Sequence, residues 1–146
     1  MKPRSLFFTL ALLPACIPQE ETRIPYAPVN LTIQLSYSDS DLVPLYSSKV
    51  FPHGSTPLDK DRLGFGGLLV FHHHGGYQAY DLACPVEVSS KTVVVLEEGG
   101  LFAACPSCHT RYSLIDGAIP VDGSGAYRLH AYRVSQISST ELIISN

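Results

Sequence analysis

The chain of 146 residues is about one domain long, and 45% hydrophobic residues are enough for a modest single core, which excludes a disordered chain. Ten Lys and Arg stand against thirteen Asp and Glu, for a formal net charge of -3. The basic residues are scattered along the sequence, so it carries no nucleic-acid footprint.

The first sixteen residues read MKPRSLFFTLALLPAC. Lys2 and Arg4 precede an apolar run over 6–13, the layout of an export leader. That run is too short for a bilayer of roughly 30 Å, which takes about 20 helical residues. Leu13-Pro14-Ala15-Cys16 resembles a bacterial lipobox. The resemblance implies removal of residues 1–15, lipid on Cys16, and an exported lipoprotein of the bacterial cell envelope held at a membrane by its acyl chains. Residues 17–28, IPQEETRIPYAP, hold three prolines and no apolar period, so 16–28 is expected to be the lipidated cysteine and a tether, with the folded domain over 29–146.

From Val29 onward the chain alternates, with Leu31, Ile33, Leu35 and Tyr37 on one side and Asn30, Thr32, Gln34 and Ser36 on the other. Period two over this length predicts a half-buried strand. Further strands are expected at 42–46, 67–71, 77–81, 92–96, 101–104, 111–114, 126–134 and 141–145, all rich in Val, Ile, Leu or Tyr. Eleven Gly and eleven Pro punctuate the gaps, and hairpin tips are expected at Gly75-Gly76, at Glu98-Gly99-Gly100 and at 138–140. No window shows a helical period. The expected fold is all-β, a small antiparallel sandwich or barrel with two Cys-Pro loops.

Within this pattern His72 and His74 share one side of a strand, yet no third ligand is spaced near them, and a solvated stretch beside a hairpin tip is the simpler reading. His53 and His130 stand alone. Tyr77, Tyr80, Tyr112 and Tyr132 read as sheet packing. The sequence has no G-x-S-x-G, no P-loop and no paired carboxylates, so hydrolase and nucleotide chemistry are unsupported.

The chemistry-bearing residues are Cys84-Pro85-Val86-Glu87 and Cys105-Pro106-Ser107-Cys108-His109. With Gly75-Gly76 ahead of Cys84, and with Tyr112, Gly117, Gly123 to Ala126 and Leu129-His130-Ala131-Tyr132-Arg133-Val134 after Cys108, the stretch over roughly 63–146 resembles a Rieske iron-sulfur domain. The resemblance implies a [2Fe-2S] cluster and electron transfer, with Cys84 and Cys105 at cysteine ligand positions. It also places Val86 and Cys108 where the family has its two histidines, and His109 where it has glycine.

Three readings of the site follow. One is a variant cluster or a single zinc or iron held by Cys84, Cys105 and Cys108, with His109 or Glu87 as a fourth ligand. Another is a metal-free interaction module with an unidentified protein partner. There an oxidising compartment pairs two of the thiols, Cys84 with Cys105 if the family geometry holds, or Cys105 with Cys108. The third, a catalytic redox dithiol at CPSC, lacks the helix N-terminus that would lower a thiol pKa. The chain is thus expected to be an electron-transfer or binding protein rather than a stand-alone catalyst.

Overall fold

The computed structural model describes residues 23–55 and 62–146. The expected leader, the lipidation site at Cys16 and the tether up to residue 22 lie outside the described residues. Among the described residues ten strands form two antiparallel sheets. The larger joins β1 (Asn30–Gln34), β2 (Ser48–Phe51), β3 (Leu68–His73), β4 (Gly76–Asp81), β9 (Ala131–Gln136) and β10 (Glu141–Ser145) in the order β1-β10-β9-β4-β3-β2. The smaller runs β5 (Val95–Leu96), β6 (Phe102–Ala104), β7 (Arg111–Ser113) and β8 (Ile119–Asp122) in sequence order. The expected all-β antiparallel architecture is what the chain adopts, and the three hairpin tips fall where the turn residues put them.

Two apolar cores follow from the alternation of side chains along a strand. Leu31 and Ile33 of β1 meet Leu142 and Ile144 of β10, and the same cluster takes in Phe51, Leu68, Val70 and Tyr132. Since β1 and β2 are opposite edges of one sheet, their sharing a core means the sheet curls on itself. On its other face Leu69 and Phe71 of β3, with Tyr80 of β4, pack against Ala103 and Tyr112 of the smaller sheet. Residues 68–71 are all fully buried, so β3 is a partition between two cores and reads as a continuous apolar run.

Four expectations need correction, the simplest being that the strand expected at 126–134 begins only at Ala131. Residues 42–46 are no strand: the polar run before them makes a 3-10 turn, Ser40–Leu42, in which only Leu42 is buried. Asp39 holds that turn by accepting from the Gln34 N–H and pairing with Lys49 at 3.0 Å. The first strand ends at Gln34 rather than Tyr37, whose ring is 89% exposed, because the chain turns back there through the Tyr37 N–H to Gln34 O bond. The apolar stretch 92–96 keeps ladder pairing only at its last two residues. Its first half instead closes the Cys84 loop.

Candidate metal centre

Both cysteine loops leave strands that face the second core. After β4 the chain runs through Leu82 and Ala83 into Cys84, whose N–H donates to Thr92 O at 3.1 Å while its carbonyl accepts from Val88 N–H at 2.9 Å. After β6, Cys105 N–H donates to Thr110 O at 2.9 Å and its carbonyl accepts from His109 N–H at 3.0 Å. Each loop therefore closes a turn from a cysteine carbonyl to the N–H four residues on. In each the residue that closes it is left-handed, Val88 at φ 50° and His109 at φ 58°. That conformation is strained for a residue with a Cβ, and the flanking hydrogen bonds hold it.

The result is a buried thiol cluster. Cys84, Cys105 and Cys108 are free thiols whose sulfurs all lie within 4.8 Å of one another, with Cys84 Sγ and Cys108 Sγ at 3.6 Å. Cys84 and Cys105 are buried and Cys108 half-buried. Two hydroxyls touch the cluster. Tyr112 Oη is 3.6 Å from Cys84 Sγ, and the Cys108 thiol donates to Thr110 Oγ1 at 3.2 Å. Thr110 Oγ1 in turn accepts from the Gly125 N–H at 3.0 Å, so the closing loop is tied to the sulfurs through one hydroxyl.

The thiols are electrostatically unequal. Burial pushes Cys105 up to about 11, against the pull of backbone hydrogen bonds from Cys108 and Ser107. Burial also pushes Cys108 up, but hydrogen bonds from the side chain and backbone of Thr110, together with the neighbouring thiols, outweigh it and hold Cys108 below its ordinary value. The Tyr112 phenol is raised well above its usual range by burial and then by its bond to Cys84, so it stays a donor. Of these two thiols Cys108 ionises before Cys105, whose burial holds it protonated unless a cation stands beside it.

The other expected ligands are not part of this cluster. Glu87 and His109 are exposed, and neither joins the three sulfurs among the described residues. His109 lines a surface cavity of about 460 Å³ together with Cys105, Pro106, Arg111 and Asp122. Val86 is half-buried and packs on the core that contains Cys84 and Cys105. His72 gives its ring to the 3-10 turn, with Nδ1 3.0 Å from Val43 O, and stacks on Tyr77 at 4.2 Å. Thr110 and Tyr112 were not singled out as site residues from the sequence. Their signal was the period of two after His109, which turns both inward at the start of β7.

No protein-family model matches the chain, and no curated protein matches it. Among solved structures it is similar to one assigned as an NADH-dependent nitrite reductase small subunit from Mycobacterium tuberculosis, at 12% identity and a TM-score of 0.40, over 82% of this chain and 96% of that one. That likeness is too distant to bear on the chemistry of this chain.

Proposed function

We propose that the chain is a cell-envelope metal-binding protein that holds one thiophilic ion, zinc or iron, between Cys84, Cys105 and Cys108. The observation that carries this reading is the set of three buried sulfurs within 4.8 Å of one another. A metal–sulfur bond of about 2.3 Å in tetrahedral geometry places its sulfurs about 3.8 Å apart, and here Cys84 and Cys108 stand at 3.6 Å with no pair beyond 4.8 Å. A Rieske-type cluster fits less well. It takes two imidazoles on one iron and two thiolates on the other. Here the described residues offer no imidazole to the sulfurs, and Val86 presents an alkyl group.

In this reading the chain's own groups do three things. The clasped turns preset Cys84 and Cys105, burial excludes water, and the hydroxyls of Thr110 and Tyr112 hydrogen-bond the sulfurs as these ionise. Bound there, an ion cross-links the two loops and, if it is iron, carries an electron. The lipobox-like Leu13-Pro14-Ala15-Cys16 supports attachment to a membrane through Cys16, so the site would work at the cell envelope.

The test is elemental analysis, acid-labile sulfide and visible absorption on the full chain purified without oxygen, with a thiol count. One zinc or iron per chain with no sulfide, lost in Cys105→Ser, is the expected result. Iron with an equal amount of sulfide would replace the single ion by a cluster. A second reading, a disulfide between Cys84 and Cys108, is favoured by their 3.6 Å approach, since closing to the S–S length of about 2.05 Å needs only a small loop movement. Metal-free protein that has lost two thiols, with Cys84 and Cys108 joined in peptide mapping, would establish it.

A further inference from the structure

The three sulfurs of the cluster do not meet solvent alike. Cys84 is fully buried and Cys105 is only 1% exposed, while Cys108 is half-buried on a loop whose Pro106, Ser107 and His109 are all exposed. Cys108 is also the sulfur that stands 3.6 Å from Cys84. Resting on the ion site proposed above, we infer that Cys108 is a modification site, the thiol at which a hydroperoxide enters this centre, and that its pairing with Cys84 then expels the ion.

How readily a thiol is oxidised follows its exposure. Burial keeps the reagent from Cys84 and Cys105, so the first bond forms at Cys108. Its thiolate attacks one peroxide oxygen, the O–O bond breaks, and a sulfenic acid forms while the other oxygen departs as hydroxide, or as alkoxide from an organic hydroperoxide. The Cys84 thiolate then attacks the Cys108 sulfur, the S–S bond forms, the S–O bond breaks and a hydroxide leaves. Both departing oxygens take protons from solvent. Two thiolates are thereby oxidised to one disulfide, the peroxide is reduced by the same two electrons, and a zinc ion keeps its charge throughout.

Cys84 takes the second step because its sulfur is already beside Cys108. Reaching the S–S length of about 2.05 Å needs a closure of about 1.5 Å. Residues 106–108, between the clasped ends of their turn at Cys105 and His109, can supply that movement while the Cys84 turn stays closed. Cys105 is then the last thiolate of the site. Zinc is held by three or four protein ligands, so one sulfur does not retain it. Exchange with a dithiol would restore both thiols and the site.

The test takes the full chain carrying Cys16→Ser, loaded with zinc without oxygen, and adds hydrogen peroxide. Zinc is followed with a chromogenic chelator, thiols by titration and the linkage by peptide mapping. Loss of two thiols for each zinc released, a Cys84–Cys108 linkage, and zinc binding regained after dithiothreitol are expected. The entry point is read in metal-free Cys84→Ser, whose sulfenic acid has lost its nearest partner, and by brief labelling of the metal-free parent should that variant not fold. Dimedone should mark Cys108 about tenfold or more over Cys105. Equal marking of the two, a Cys105–Cys108 linkage in the parent, zinc retained after two thiols are lost, or zinc and thiols untouched by peroxide would overturn the inference. If the unoxidised chain takes up no zinc, the ion site falls and the release with it, while marking at Cys108 would still assign the modification.

Discussion

Asp81 lies fully buried at the end of β4, where its carboxylate accepts from the backbone N–H groups of Phe65, Gly66 and Ala83 and from the Tyr132 hydroxyl at 2.6 Å. It thereby ties the 63–67 turn, β9 and the run into Cys84 to one side chain. Asp81→Ala would leave these donors buried without a partner and should destabilise the fold by more than about 3 kcal/mol in urea unfolding, with Asp81→Asn milder because it keeps an acceptor oxygen. Cys105 sets a second residue-level expectation. Its ordinary value of 9.0 is pushed up to about 11 by burial, so the folded, metal-free chain holds a proton there that the unfolded chain releases sooner. That stability is present below pH 9 and is lost as pH rises through about 11. Melting of the reduced, metal-free chain across that window should fall, and Cys105→Ser should flatten the fall. A slope unchanged by the substitution would assign the alkaline loss to other groups.

At the scale of elements, β3 separates the frame from the site. Leu68 packs in the core of the curled sheet and Leu69 in the core that holds Cys84 and Cys105, and both are fully buried. Each truncation to Ala should cost about 2–5 kcal/mol. If the three sulfurs hold an ion as proposed, only Leu69→Ala should also loosen it in a chelator competition. If both variants release the ion equally, the two cores are not mechanically distinct. Gly123 shows how tightly the second cysteine loop is gripped. It sits at φ 89°, and a Cβ there would stand 2.6 Å from Thr110 Cα and 2.8 Å from His109 O. Two strands were missed in the sequence for local reasons. Pro120 disguises β8, which tolerates a proline because it is an edge strand with one ladder partner. The stretch SKVF over β2 carries too few apolar residues to announce itself, and it forms because β3 offers it an edge.

For the whole molecule, the acid limb of stability is tied to how the turn after β1 is held. Burial raises Asp39, but hydrogen bonds from Gln34 N–H, Ser38 and Lys49 outweigh it and hold the carboxylate below its ordinary 3.8. Its contribution is therefore present above pH 3.8 and is lost as pH falls through the lower folded value. Asp39→Asn should reduce the stability measured at pH 6 and make the curve flatter below about pH 4. An unchanged acid limb would count against Asp39. A membrane anchor, if the lipobox resemblance holds, would rest on Cys16. Cys16→Ala should then lower the share of the protein found in the membrane fraction of its host, since acyl chains would supply the anchor. Continued membrane association would exclude the lipid anchor.

The sequence by itself determined the fold class, the hairpin tips and the two Cys-Pro loops, because alternation, Gly-rich turns and cysteine spacing are local signals. It also pointed to Cys84, Cys105 and Cys108 as one group, though only through the order of loops and turns in a resemblance. Only the tertiary structure shows where their neighbours lie: the left-handed turn at 109 leaves His109 exposed and outside the three-sulfur group, while the turn at 88 leaves Glu87 exposed and Val86 on the core. The same holds for Thr110 and Tyr112, whose contact with the sulfurs depends on β7 packing beside the Cys84 loop.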